Sequence, residues 1–208
     1  MQKNLIRRTS LVVAAGAASL VLAACGSSDD ASGGHDGHGS SSSASSPAPA
    51  TQGQHNAADA AFAKGMIPHH RQAVEMADLA PGRAESAEIK KLAEEIKEAQ
   101  DPEIKTLSGW LTSWGEQVPA EGAMDHSMHG SGGGMMTPEE MDSLKQASGK
   151  AFNTAFMEMM IKHHEGAVEM AKTQKADGAF PEAKTMADAI ITSQTAEIAT
   201  MNSLLGKS

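Results

Sequence analysis

From about residue 56 onward, apolar side chains recur every three or four positions, the spacing of one face of an α-helix. Alternating runs of β-branched residues, which would mark strands, are missing, and the chain has no tyrosine and four phenylalanines. The pattern predicts a helix from about 56 to 79, ended by Pro81-Gly82. A second runs from about 84 to 114, with Ile89, Leu92, Ile96, Ile104, Leu107 and Leu111 on its stripe and a kink expected at Pro102. Thr137-Pro138-Glu139-Glu140 reads as a helix start: Thr137 caps, Pro138 suits the first helical position, and Glu140 completes a capping box. That short helix reaches about Ala147 and breaks near Gly149. Two long helices follow, about 150–175 and 181–205, the last with Met186, Ile190, Ile198, Met201 and Leu205 on its stripe.

The pattern repeats. Met66-Ile67-Pro68-His69-His70, followed by Ala73-Val74-Glu75-Met76-Ala77, returns 94 residues later as Met160-Ile161-Lys162-His163-His164 with Ala167-Val168-Glu169-Met170-Ala171. Between 62–77 and 156–171, 10 of 16 positions are identical, and the same offset aligns Ile96 with Ile190, Gln100 with Gln194, Glu103 with Glu197 and Leu111 with Leu205. A helical hairpin has been duplicated. Two such hairpins bury their stripes best against each other, which predicts an all-α four-helix bundle over 56–205. Repeat 1 is 56–114, repeat 2 is 137–205, and a Met/His/Gly-rich loop at 115–136 joins them.

The segment before the bundle reads as an address and a tether. Lys3, Arg7 and Arg8 precede an apolar run from Leu11 to Val21, and Leu22-Ala23-Ala24-Cys25 has the form of a lipoprotein cleavage and acylation site. Arg7-Arg8 also fits a twin-arginine export signal. Residues 1–24 are therefore expected to be removed, leaving Cys25, the only cysteine, as the lipid attachment point. Residues 25–55, rich in Ser, Gly and Ala, cannot bury enough apolar surface to fold and make a flexible tether. His35 and His38 within it are incidental to that role. Removing the signal leaves 14 basic against 26 acidic residues, a balance near −12 that argues against nucleic acid, whose phosphates demand a basic surface.

The duplicated motif carries the candidate chemistry. Met66, His69, Ala73 and Met76 share one helical face, and Ile67, His70, Val74 and Ala77 the adjacent strip. The third long helix repeats this with Met160, His163, His164, Ala167 and Met170. Soft thioethers beside borderline imidazoles favour copper, Cu(I) above all, over magnesium or calcium. The competing account is packing: methionine fills irregular gaps between helices, and a histidine on an apolar face is usually a core residue. Two copies in an exported chain that lacks any other soft ligand favour ligation. Gln100, Glu103, Gln194 and Glu197 interrupt apolar stripes, either to orient ligand histidines or as structural hydrogen bonds between helices. Glu75 is expected to pair with Arg71 one turn away. In the loop, Met124, His126, Met128, His129, Met135 and Met136 make a weaker capture site.

At these residues the chain resembles the exported bacterial domain-of-unknown-function family number three hundred and five, whose members carry Met-Ile-x-His-His followed by Ala-x-x-Met-Ala. The resemblance covers about 56–205. It implies a ferritin-like four-helix bundle and, as in the family's copper-binding members, copper held by Met and His ligands. The matching positions are Met66, His69, His70, Met76, Met160, His163, His164 and Met170.

The expected function is that of a lipid-anchored, extracytoplasmic protein that sequesters or hands over copper without catalysis. Cu(I) is its preferred ion, Cu(II) and Ag(I) the alternatives, and a metal-transfer partner or a second copy of the chain its candidate partners. It would sit on the outer face of the cell membrane or the periplasmic face of the envelope. Two rivals are a metal-free helical interaction module and a ferritin-like di-metal oxidase, which would need Glu-x-x-His motifs that this chain lacks. If Cys25 carries the anchor, Cys25→Ala releases the protein from membranes or blocks its processing; fractionation showing unchanged membrane association overturns the assignment.

Overall fold

A computed structural model describes residues 54–121 and 133–207. Six helices follow in order: α1 (Ala57–Asp78), α2 (Ala80–Arg83), α3 (Ala87–Ser113), α4 (Pro138–Gln146), α5 (Gly149–Asp177) and α6 (Pro181–Leu204). The fold is all-α. The four long helices form a bundle of two hairpins, α1 against α3 and α5 against α6, and α1 packs on α5 to join them.

The ends of the helices follow from local chemistry. Asn56 caps α1 through the Asp59 amide at 3.0 Å, and the Asp59 carboxylate accepts from the Asn56 amide at 2.8 Å. Ser86 caps α3, and the Thr137–Glu140 capping box starts α4 as its sequence predicts. One expectation changes. Pro81-Gly82 does not simply end the first helix: α1 stops at Asp78 and Pro81-Gly82 lies in the short α2, where proline occupies an early helical position that needs no amide hydrogen. α3 passes through Pro102 as one uninterrupted element, with the Thr106 hydroxyl donating to the Pro102 carbonyl at 2.9 Å. Pro68 likewise lies inside α1, within the first copy of the motif.

Two apolar clusters fill the interior. One gathers Met76, Ile89, Leu92, Ile96, Leu144, Phe152, Phe156 and Met160. The other gathers Phe62, Met66, Ile67, Leu107, Leu111, Ala167 and Ile190. Histidines occupy the helix contact between α1 and α5.

The hairpins are also tied at their ends, with contacts at the same 94-residue interval. The buried Asp59 carboxylate accepts from the Gln174 amide, from Ala179 N at 3.0 Å and from Phe180 N at 3.1 Å, gripping the α5–α6 turn. Asn153, the counterpart of Asp59, accepts from Glu85 N at 3.2 Å, at the turn before α3. Burial alone would raise the Asp59 pKa, but the hydrogen bonds from Gln174, Asn56, Ala179 and Phe180 outweigh it and hold the carboxyl below its ordinary 3.8. With the folded pKa below the unfolded one, this stabilisation is complete above the ordinary carboxylate range. It drains away as pH falls through the folded value.

Asp59→Ala leaves four donors without their acceptor, of which the Gln174 amide and Phe180 N are buried, at about 1–3 kcal/mol for each buried group before relaxation. Urea unfolding at neutral pH should show a loss of about 3–5 kcal/mol, shrinking as the pH is lowered below about 4. A loss under about 1 kcal/mol would show that the turn does not depend on this carboxylate.

Candidate metal site

The site is built where α1 meets α5. Each motif turns its apolar and imidazole positions into the same contact, so that Met66, Ile67, His69, His70, Ala73 and Met76 of α1 are all buried. Met160, His163, His164 and Ala167 of α5 are buried as well, and Met170 is half-buried. The His69 and His163 rings meet in a tilted contact, with centroids 3.7 Å apart and planes inclined at 41°. Two positions 94 residues apart in sequence are thus brought into direct contact.

Every one of the four imidazoles has ring nitrogen to spare. His70 Nε2 pairs with Glu103 Oε2 at 2.7 Å, and His164 Nε2 pairs with Glu197 Oε2 at 2.5 Å, one bond within each hairpin. His69 Nε2 donates to the Gly133 carbonyl at 2.8 Å. The Nδ1 atoms of His69, His70 and His164 and both ring nitrogens of His163 are buried with no hydrogen-bond partner. Buried polar atoms are rarely left so. Burial, with smaller contributions from His70 and His164, pushes the His69 pKa down to about 3, the Gly133 carbonyl opposing. Burial and the neighbouring histidines hold His163 well below the ordinary value. Both rings are therefore neutral at pH 7, with lone pairs free.

The thioethers lie at both ends of this histidine group. Met66 shares an apolar cluster with the half-buried Met170, and Met76 shares the other with Met160. Thioethers are thus grouped across helices, Met66 of α1 with Met170 of α5 and Met76 of α1 with Met160 of α5. Among the described residues, no three His, Cys, Asp or Glu side chains converge to hold an ion by themselves. The donors present are unpartnered buried ring nitrogens beside thioethers, a set that fits a soft ion such as Cu(I).

Gln100, Glu103, Gln194 and Glu197 fall where the sequence placed them. The two glutamates bond to histidines, and Gln100 and Gln194 are buried with their side-chain oxygens unpartnered.

A strap that the sequence did not announce crosses this contact. Gly134 (φ +71°) and Gly133 press on α5 so closely that a Cβ on Gly166 would lie 2.1 Å from the Gly133 oxygen. On α1 the Gln72 side chain grips the same segment, donating to Met136 O at 2.9 Å and accepting from Met136 N at 2.7 Å. Gln72 and Gly166 are equivalent positions of the two repeats: one binds the strap and the other makes room for it. Met136, which the sequence assigns to the Met/His loop and its capture site, instead has its side chain buried in the core. Met135 is half-buried. Met124, His126, Met128 and His129 lie outside the described residues, as do Cys25, the signal, His35 and His38. The expected Glu75–Arg71 pair is also replaced. Glu75 pairs with Lys145 at 3.0 Å, and Arg71 reaches away to the Pro119 carbonyl at 2.8 Å and the Ala120 carbonyl at 3.1 Å.

A bundle with two copies of this histidine motif defines a class of protein. The chain belongs to the family described as Domain of unknown function (DUF305), whose profile matches residues 59–205. Among solved structures it is similar to a putative secreted DUF305 protein from Streptomyces coelicolor, at 33% identity and TM-score 0.65, covering 72% of this chain and 93% of that one. It is similar to CopM in the Cu(II)-bound form, at 39% identity and TM-score 0.61, covering 70% of this chain and 94% of that one. A DUF305 fragment from Deinococcus radiodurans matches at 27% identity and TM-score 0.65, covering 74% of this chain and 98% of that one. CopM structures in Cu(I)-bound, Ag-bound and apo forms also match. No curated protein matches the chain.

Gly166→Ala tests the strap. The added methyl group meets backbone rather than a movable side chain, so the strap must shift while α5 gains helix propensity. The Met136 amide should exchange with solvent roughly tenfold or more faster, with helix content unchanged. Unaltered exchange at Met136 would show that the strap does not depend on this glycine.

Proposed function

We propose that this protein is an extracytoplasmic copper-binding protein that holds Cu(I) between α1 and α5 and sequesters or hands it on without catalysis. The observation that carries the reading is the set of unpartnered ring nitrogens on four buried histidines at one helix contact. His69, His70, His163 and His164 would hold the ion with thioethers from Met66, Met76, Met160 and Met170. Thioether and imidazole donors suit a monovalent soft ion. Divalent copper and silver are the other ions to consider, because CopM has been solved with Cu(II) and with Ag as well as with Cu(I).

The anchor and the location belong to the same proposal. Among the described residues, no helix is long and apolar enough to cross a membrane. Membrane attachment would therefore rest on lipid at Cys25, with residues 25–55 as tether. A putative secreted protein among the similar structures supports an exported chain. Met124, His126, Met128 and His129 would add a second, weaker capture site.

The metal-free interaction module is the alternative. It accounts for methionines in both apolar clusters but leaves five buried ring nitrogens without a role. Elemental analysis of protein from copper-supplemented cells, followed by a Cu(I) competition titration, separates the two. The His70→Ala/His164→Ala double variant should bind Cu(I) roughly 100-fold more weakly, about 2.8 kcal/mol, with helix content by circular dichroism near wild type. Unchanged affinity, or a wild-type protein that takes up no copper, overturns the reading.

A further inference from the structure

Three of the four histidines are held by the same ring atom, and in each case by an oxygen. His70 Nε2 meets a Glu103 carboxylate oxygen on α3, His164 Nε2 meets a Glu197 carboxylate oxygen on α6, and His69 Nε2 meets the Gly133 carbonyl of the strap. In all three rings the opposite nitrogen, Nδ1, is buried and unpartnered. A carbonyl oxygen only accepts, and so does a carboxylate. The Nε2 atom must then carry the ring proton. A neutral imidazole has a single ring proton, so Nδ1 is left with its lone pair. Placing the proton on Nδ1 instead would bury an N–H with no acceptor, at a cost of about 1–3 kcal/mol.

We propose that Glu103 and Glu197 are positioning residues for metal binding, each keeping the proton of its histidine on Nε2 so that Nδ1 is the atom presented to a soft ion. The inference rests on the copper-binding reading and deepens it by naming the ligating atom. The carboxylates suit this task better than other acceptors. Each is roughly one-fifth exposed (21% for Glu103 and 20% for Glu197), so its outer side stays in water while its inner side holds a fully buried ring. A side-chain amide in the same place could turn and donate, drawing the lone pair to Nε2 and the proton to Nδ1. A carboxylate has no such second face. Its negative charge also strengthens the donor power of the ring it holds. His163 is the exception: no oxygen fixes either of its nitrogens. Its tautomer is free to follow whatever binds beside it.

The test begins with the metal-free protein. Long-range proton–nitrogen correlation spectra distinguish a protonated from an unprotonated ring nitrogen. They should show His69, His70 and His164 protonated at Nε2 and bare at Nδ1. His70 or His164 protonated at Nδ1 overturns the proposal whatever any variant does. Cu(I) is diamagnetic, so the same spectra can be recorded on its addition. The Nδ1 signals of His70 and His164 should move while their Nε2 protons remain. The near-isosteric Glu103→Gln/Glu197→Gln variant should keep its thermal midpoint yet populate both tautomers, and its Cu(I) affinity should fall by about 10- to 100-fold. A wild-type protein that binds Cu(I) alongside a variant that binds equally well overturns this proposal alone. A wild type that takes up no Cu(I) overturns both readings.

Discussion

Burying four imidazole rings in a single helix contact is the constraint on which the molecule turns. A neutral histidine in the interior keeps two polar nitrogens, and leaving either unpaired is unfavourable. An ordinary bundle would place alanine or leucine there. This one aligns His69 against His163 and supports the group with oxygens from three directions: α3, α6 and the inter-hairpin strap. Those supports satisfy one face of three rings and leave the inner nitrogens open. The packing on either side is conventional, with Phe152, Phe156 and Ile96 in one cluster and Phe62, Ile67 and Leu111 in the other. The apolar clusters supply the stability that lets an unsatisfied polar centre persist between them.

The strap makes the two halves of that centre unequal. The repeats are built from corresponding residues, and both second histidines receive a glutamate from the partner helix of their hairpin. Of the two first histidines, only His69 gives the strap a ring hydrogen bond. Gly166 is small because Gly133 lies on it, and Gln72, at the equivalent position, reaches up to bond both backbone groups of Met136. His69 is thereby committed at one nitrogen, whereas its counterpart His163 is committed at neither. A duplicated sequence thus yields two chemically different histidines, and a single chain crossing one side of the contact is sufficient cause.

Much of this was legible in the sequence because the relevant signals are local or periodic. Three- and four-residue spacing placed the long helices, and Thr137-Pro138-Glu140 located a short one through capping chemistry alone. The buried positions of His69, His70, His163 and His164 followed from the same spacing. The strap was not legible, since Gly133-Gly134 reads as linker until the surface against it is known. A signal did exist: among 16 aligned motif positions, Gln72 faces Gly166, a change no helix propensity favours. The Glu75–Arg71 expectation failed for a related reason. An i, i+4 pair on an exposed helix contributes only about 0.2–0.5 kcal/mol, too little to hold Arg71 when the carbonyls of Pro119 and Ala120 lie within reach.

Electrostatics connects the glutamates to the choice of ion. The candidate ligands, thioether and neutral imidazole, bring no charge of their own to compensate a buried cation. Moving an uncompensated charge into an interior of low dielectric is strongly unfavourable, and more so for two charges than for one. The carboxylates of Glu103 and Glu197 each bond the Nε2 atom of a buried histidine whose opposite nitrogen is unpartnered. Two such groups at the edge of the bundle can balance one or two monovalent ions while staying partly hydrated themselves. Under the copper-binding proposal, ligand softness selects the ion, and the residues that supply the charge balance would also set which nitrogen faces it.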